Sequence, residues 1–214
     1  IVVLLLRAYR YKPRFFRNKQ LDNMFGAFLS QSIYVPIAAT FITVFRYSWG
    51  VKLAFITYFF IVEKLFVHWN IYKTYWWRPI YTSLLLAVYF QISDKWFEGL
   101  KQRRFFFVFL SLYQSIKVTW VFVVFFFSIS SKLRFGLGWI KPWDEHFKYG
   151  TLFIYLFSGI MASAMMFQSP LALALGIITL SAGHRVSNSL GLLRVKSKFV
   201  LLTTQLSVLL SSIA

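Results

Sequence analysis

Long apolar runs, separated by short basic and aromatic borders, dominate the pattern of this 214-residue chain. A helix needs about 20 mainly apolar residues to span the hydrocarbon core of a bilayer. Runs of roughly that length lie near 22–45, 51–68, 79–93, 105–130, 150–168, 171–193 and 199–214, and residues 1–6 form a remnant of an earlier helix. We therefore predict an all-α fold, a polytopic transmembrane helical bundle of about seven spanning helices plus the N-terminal remnant. Residues 1–214 are expected to form a single integral membrane domain.

The third run, residues 79–93, is short for a spanning helix, at about 15 residues. It spans if border residues add turns or if the bilayer thins, and otherwise it is a re-entrant segment. Pro36 lies inside the first run, where its missing N–H group predicts a kink. The pair Ser169-Pro170 leaves almost no loop, so the flanking helices are expected to form an antiparallel hairpin. Small residues would allow their close contact: Gly159, Ala162, Gly176 and Gly183.

Composition excludes a soluble globule and charge predicts an orientation. The chain is 58% hydrophobic and only 14% charged, which leaves too little polar surface to enclose a soluble core.

Most of its 24 Lys and Arg residues lie in short segments between the runs. If the segments alternate across the membrane from residues 7–19 onward, 15 cations fall on one side and 6 on the other. The positive-inside rule then places 7–19, 73–78, 132–148 and 194–198 in the cytoplasm, with the four cations of 94–104 outside as the conflicting segment.

Tryptophan supports the same helix borders. Seven of the eight Trp residues lie at or between predicted helix ends, and only Trp120 lies within a run. This is the distribution of an aromatic belt at the membrane interface. The predicted interface anchors are Trp69, Trp76, Trp77 and Trp96.

Motifs for catalysis are missing from the sequence. It has no cysteine and no dinucleotide, phosphate-loop, zinc-protease or serine-hydrolase signature. We therefore predict a protein that is not an enzyme, with no catalytic residue, cofactor or metal site. The acidic run Asp144, Glu145 and His146 is interpreted as a solvated loop segment that offsets nearby lysines. The sequence shows no repeat of fixed period.

Among the ionisable residues inside predicted spans, four form the candidate intramembrane polar cluster: Glu63, Lys117, His184 and Arg185. At a helical rise of about 1.5 Å per residue, Glu63 and Arg185 lie about 8 and 12 Å from the inner border, with His184 at about 14 Å and Lys117 at about 20 Å. Such residues usually face a protein interior or a wet cavity. One interpretation is a polar cavity in the inner half of the bundle, with Glu63 as the counter-charge of Arg185. The alternative is one ion pair, with the other side chains reaching the headgroups.

The run EKLFVHWNIYKTYWWRPIYTSLLLAVYFQISDKWF, residues 63–97, resembles a group of uncharacterised multi-pass membrane proteins of spore-forming Firmicutes. In that group a Glu-bearing helix is followed by a Tyr-Lys and Trp-Trp border and another helix. The resemblance implies a bacterial cytoplasmic or spore membrane as the location. It brings no activity, cofactor or catalytic residue, and the helices after about residue 150 find no counterpart in it.

Three functions follow as hypotheses from these patterns. The first is a non-enzymatic membrane protein that binds or passes a small polar or anionic solute through an inner-facing cavity. The alternative is a structural subunit of a larger membrane assembly. An enzyme acting on lipid, with His184 as general base, lacks a nucleophile or metal partner at a recognisable spacing. The expected partners are membrane lipids, with other membrane subunits or a second copy of the chain as further candidates and no nucleic acid.

Overall fold

The computed structural model describes residues 8–137, 142–167 and 169–210, which are mostly helical. Its helices are α1 Lys19–Val44, α2 Trp49–His68, α3 Pro79–Lys101, α4 Phe105–Ile129, α5 Pro142–Met166, α6 Pro170–Ser189 and α7 Lys198–Leu210. Four short strands precede or separate them: β1 Tyr9–Tyr11, β2 Tyr72–Thr74, β3 Leu133–Phe135 and β4 Leu193–Val195. The sequence predicted the helices but none of these strands.

Three of the helices are long and apolar enough to cross a membrane: α1, α4 and residues Glu145–Met166 of α5. Large apolar side chains are exposed along the helices. Leu152, Leu171 and Phe126 are 68%, 69% and 70% exposed. Exposed apolar surface of this extent is expected where lipid is the solvent. The mostly helical class is confirmed, and the seven-span arrangement stays a prediction.

Helix α3 corrects the prediction of a short third run followed by a loop. It continues without a break from Pro79 to Lys101, for 23 residues. Its polar C-terminal turns face two cations of the same half of the chain. The Asp94 carboxylate pairs with Lys52, and Glu98 Oε1 lies 2.9 Å from a guanidinium nitrogen of Arg46. Because these acids have cationic partners, the charged segment 94–101 is stable as helix. The spanning and re-entrant alternatives for this helix both stay predictions.

Helix α1 begins with a side-chain cap and changes its hydrogen bonding before the proline. Asn18 Oδ1 accepts from the backbone N–H groups of Gln20 and Leu21, as an N-cap residue does. Over Leu29–Tyr34 the helix is π-helical, and the Val35 N–H donates to the Ser30 carbonyl. Pro36 follows directly and supplies no N–H donor. The kink predicted at Pro36 stays a prediction; the irregularity that the structure shows is the π-helical segment before it.

The strands form two antiparallel pairs, β1 with β2 and β3 with β4. Residues with left-handed backbone lead into β2, β3 and β4, namely Asn70, Ser131 and Gly191. At Asn70 and Ser131 a residue just after the helix donates back into its last turn: Ile71 N–H to Phe66 O and Lys132 N–H to Phe127 O. This is the Schellman type of helix end, which reverses the chain within a few residues.

The chain divides into two compact units, Ile1–Arg103 and Arg104–Ala214. Each unit contains one strand pair with its flanking helices, and the two pairs have the same hydrogen bonds. The Lys12 N–H donates to Ile71 O over 2.6 Å in the first unit. The Gly136 N–H donates to Leu192 O over 2.8 Å in the second unit. The units are therefore structural repeats of helices joined by paired strands.

The repeat is visible in a few residues once the strands are aligned. The same number of residues separates Arg10 from Arg134 and Gly26 from Gly150, so each pair occupies corresponding positions of the two units. A Cβ atom on Gly26 would lie 2.5 Å from Tyr11 Cβ, and one on Gly150 would lie 3.1 Å from Phe135 Cδ2. In both units, then, a helical glycine lets the last strand residue pack closely. No repeat of fixed period was found in the sequence, and the spacing is indeed not constant, because β1 and β3 are three residues further apart in the chain than β2 and β4. The structural repeat was missed because so few identities mark it.

Each unit has its own apolar core. In the second unit the core includes Trp120, Met161 and Leu180, all at most 2% exposed. The first unit has one cluster between helices around Ile42 and Phe90 and another around the strand residues.

The predicted hairpin of α5 and α6 is a contact within the second unit. A Cβ atom on Gly176 would lie 3.0 Å from Ala164 Cβ, and one on Gly183 would enter the Phe157 ring. These two α6 glycines therefore face α5. Gly159 does not belong to this contact, because a Cβ there would instead meet Tyr113 of α4 at 3.9 Å.

Candidate functional site

The four predicted intramembrane residues lie in different surroundings. Glu63 belongs to the first unit, and Lys117, His184 and Arg185 belong to the second. The Lys117 ammonium lies over the rings of Tyr113 and Tyr155, at 5.4 and 4.8 Å from their centroids. Arg185 is exposed. The structure thus assigns Lys117 to a cation–π contact and Arg185 to the surface of its unit.

His184 is buried among aromatic rings and hydrogen-bonded to its own helix. Its Nδ1 lies 3.0 Å from the carbonyl oxygen of Leu180. The rings of Trp120 and Phe153 lie 5.8 and 5.0 Å from the imidazole centroid. His184 is therefore part of the core of the second unit, with one ring nitrogen satisfied.

Glu63 has hydroxyl partners in its own unit. The side chains of Thr82, on α3, and Tyr72, on β2, hydrogen-bond to its carboxylate. The Trp77 indole N–H donates to the Thr82 hydroxyl over 2.9 Å. The Oε1 atom of Glu63 is enclosed and has no hydrogen-bond partner among the described residues. A buried carboxylate oxygen without a donor is costly, which makes Glu63 the most unusual polar group of the first unit.

Three tyrosines cluster at the strand pair, and Tyr72 joins them to this carboxylate. The ring centroids of Tyr9 and Tyr11 lie 5.1 and 4.9 Å from that of Tyr72. The Gln31 amide donates to the Tyr9 hydroxyl, and the Ser30 side chain hydrogen-bonds to Tyr11. Burial raises the pKa of Tyr9 to about 12 and also raises the pKa of Tyr72, so both hydroxyls stay protonated at neutral pH.

The predicted tryptophan anchors divide into two kinds. Trp69 and Trp76 are 55% and 51% exposed, as expected for side chains that reach an interface. Trp77 is half-buried against Tyr9, with ring centroids 5.6 Å apart, and belongs to the tyrosine cluster. Trp96 is half-buried within α3 rather than between helices. Trp139 lies outside the described residues.

A pocket of about 340 Å³ lies beside β3 and β4 in the second unit. Its cationic lining consists of Arg134, Arg194 and Lys196, and Ser131 and Glu145 also line it. Arg134 and Arg194 are direct cross-strand partners. The Arg134 guanidinium lies 4.1 Å from the centroid of the Trp143 ring, which fixes its position. Sequence reasoning did not single out these cations, because only the strand register brings them together.

The acidic run at the start of α5 is not the solvated loop that the sequence predicted. Glu145 and His146 lie in the first turns of α5 and are 1% and 2% exposed. His146 Nδ1 accepts the Phe135 backbone N–H over 3.1 Å. Asp22 has a similar function in the first unit, where its carboxylate accepts the N–H groups of Arg14, Phe15 and Phe16. In both units, then, a side chain in the first turns of a helix accepts backbone N–H groups of the strand or of the loop beside it. These side chains are buried because their partners lie inside the unit.

Comparisons with known proteins find no matching family model, no matching curated protein and no matching solved structure. The resemblance of residues 63–97 to membrane proteins of spore-forming Firmicutes therefore stays a prediction.

Proposed function

We propose that this chain is a non-enzymatic, multi-pass membrane protein that binds a small anionic solute in an inner-facing pocket of its second unit. The observation that carries the proposal is the pocket of about 340 Å³ lined by Arg134, Arg194 and Lys196. A cavity of this size suits a small solute or a single headgroup.

The strand register gives this pocket an unbalanced charge. Like charges placed directly opposite across a strand pair repel and are destabilising. Arg134 and Arg194 are such a pair, and Lys196 adds a third cation. Glu145 supplies one negative charge to the lining, so the described lining keeps a net positive charge. An anion with several oxygens, such as phosphate, would accept from both guanidinium groups and remove the repulsion.

Topology supports an inner-facing site. Strands β3 and β4 lie in or beside the segments 132–148 and 194–198, which the charge bias assigns to the cytoplasm. Strands β1 and β2 likewise lie in or beside the other two positive segments, 7–19 and 73–78. The proposed location is a bacterial cytoplasmic or spore membrane, with anionic lipids as the immediate partners of these loops.

The test is anion binding by the purified full chain in detergent. Radiolabelled inorganic phosphate in equilibrium dialysis should bind saturably, and Arg194→Gln should weaken it about ten- to a hundredfold, because one charged hydrogen-bonded partner contributes about 1.5 to 3 kcal/mol. The matched control is Lys73→Gln, which removes the cation at the corresponding strand position of the first unit.

The outcomes separate the hypotheses. Equal weakening by both variants would mean general surface attraction rather than a pocket. Absence of saturable binding to phosphate, sulfate or a soluble phosphate ester would refute the proposal. The structural-subunit alternative would then be preferred, since lipid-length helices with exposed apolar faces also suit an assembly with other subunits or a second copy.

A further inference from the structure

The first unit contains a cluster of oxygen-bearing side chains at its strand pair, where the second unit has leucine and phenylalanine in place of tyrosine. The cluster comprises the Glu63 carboxylate, the hydroxyls of Tyr9, Tyr72 and Thr82, and the amide of Gln31. Several of these groups bond to one another, but Glu63 Oε1 has no partner among the described residues. The cluster therefore has an oxygen ready to accept a ligand.

The second unit shows that the fold does not require tyrosines at the strand pair, although it keeps a polar residue, His184, at the position of Glu63. Aligning β1 with β3 and β2 with β4 gives the corresponding positions of the second unit. Tyr9, Tyr11 and Tyr72 correspond to Leu133, Phe135 and Leu193, and Glu63 corresponds to His184. Leu133 and Leu193 are each 1% exposed and belong to the apolar core. Buried hydroxyl groups stabilise a core less than apolar groups do, so the tyrosine hydroxyls of the first unit need another explanation.

The backbone of α1 is also irregular where it meets the cluster. Ser30 and Gln31, which bond to Tyr11 and Tyr9, lie in the π-helical segment Leu29–Tyr34. The corresponding helix of the second unit, α5, is α-helical over Pro142–Met166. Single π-helical turns inside α-helices occur frequently at functional sites, where they place side chains that a regular helix would not.

Charge decides the class of ligand. Among residues 8–137, 142–167 and 169–210, ion pairs join Arg46 to Glu98 and Lys52 to Asp94, and Glu63 is in neither. A multivalent ion favours a site with several charged ligands. Among the described residues, no group of three or more His, Asp or Glu side chains could form such a site. Lys64 adjoins Glu63 on α2 and acts on it electrostatically, but no ion pair joins the two among the described residues. The carboxylate and its neutral hydroxyl neighbours therefore match a single positive charge.

We propose that the cluster binds one monovalent alkali cation, Na⁺ or K⁺, with Glu63 as its charged ligand. The hydroxyls of Tyr72 and Thr82 are the neutral oxygens in contact with Glu63, and Tyr9 with its partner Gln31 lies beside Tyr72. The site lies within the first unit and does not depend on the anion pocket of the second unit.

The first experiment compares salts at equal ionic strength on the purified full chain in detergent. Tryptophan fluorescence should report a higher unfolding temperature in sodium or potassium chloride than in choline chloride, and the rise should saturate with cation concentration, because a ligand of the folded state stabilises it. Glu63→Gln should abolish this difference, and Tyr72→Phe should shift its midpoint to higher cation concentration. Glu98→Gln, which changes an exposed acid paired with Arg46, should leave it unchanged.

The second experiment needs no variant. Equilibrium dialysis with radioactive sodium should show saturable binding of one cation per chain that potassium displaces and choline does not. Equal unfolding temperatures in all three salts, or no saturable binding of either alkali cation, would overturn the proposal. Retention of the salt difference in a folded Glu63→Gln protein would also overturn it, since the charged ligand would then lie elsewhere.

Discussion

Gly183 offers a direct test of the packing in the second unit. A Cβ atom at this position of α6 would enter the ring of Phe157 on α5, with Cε1 at 2.6 Å and Cε2 at 3.0 Å. Real Cβ atoms essentially never approach other atoms that closely. Phe157 is buried at 9% exposure and its ring lies 4.4 Å from that of Phe153, so it has little space to move. Gly183→Ala should therefore force the two helices apart.

The magnitude follows from two opposing terms. Overpacking a close contact costs about 1 to 3 kcal/mol. Replacing Gly by Ala inside a helix gains about 1 kcal/mol through helix propensity. The net effect of Gly183→Ala should be a loss of about 0 to 2 kcal/mol in unfolding free energy. At Gly159, where a Cβ would meet Tyr113 at an ordinary 3.9 Å, only the gain applies, so Gly159→Ala should be neutral or stabilising.

The assay is reversible unfolding in mixed detergent micelles, followed by tryptophan fluorescence, with Gly159→Ala as the matched control. A double-mutant cycle with Phe157→Leu adds specificity, because the smaller side chain should recover part of the loss at Gly183 but do nothing for Gly159. A Gly183→Ala protein as stable as Gly159→Ala would refute the reasoning, since α5 and α6 would then not be in contact through this face.

Three further predictions test topology, electrostatics and pH dependence. Single cysteines introduced into this cysteine-free chain should resist an impermeant reagent in intact cells at the exposed strand-loop positions Arg17, Lys73 and Lys132, whereas Gln102 should be labelled. Asp94→Asn should lower unfolding free energy by about 3 kcal/mol, at the low end for a broken pair because Asp94 is 40% exposed, whereas Glu98→Gln should cost about 1 kcal/mol or less. Burial raises the pKa of Tyr9 from 10.0 to about 12. The protonated hydroxyl therefore contributes its full share of the unfolding free energy below pH 10, and that share is lost as pH rises to about 12. Tyr9→Phe should reduce this alkaline loss of stability in unfolding curves.

The helices could be predicted from the sequence because apolar runs of membrane length have few alternatives. Helix α4, predicted at 105–130, spans Phe105–Ile129. The strands could not be predicted in the same way. Each has only three residues, too few for an alternating pattern, and its pairing joins segments far apart in the chain. The repeat was missed for the same reason, since it is defined by strand register.

Polar residues were predicted less well, because their partners lie on other elements. Glu63 was recognisable as an acid within an apolar run. Its contacts with Tyr72 and Thr82 depend on the packing of β2 and α3 against α2, which no local pattern encodes. Glu145 was interpreted as solvated because charge runs usually are, yet it is buried beneath a strand loop.

The last prediction decides between two interpretations of Glu63. The sequence pairs it with Arg185, and that pairing stays a prediction; the cation site instead supplies its positive charge from solution. A pair in direct contact should show an interaction energy of about 0.5 to 3 kcal/mol in a double-mutant cycle, whereas independent residues should add within about 0.5 kcal/mol. We expect Glu63→Gln and Arg185→Gln to be additive in unfolding free energy, because Arg185 is exposed in its unit and Glu63 already has hydroxyl partners. Measuring the cycle in both sodium and choline chloride makes it decisive. Coupling that persists in both salts would establish the ion pair and remove the need for a bound cation. Additive effects of the two substitutions, together with a sodium effect found only in proteins that retain Glu63, would establish the cation as the counter-charge of Glu63.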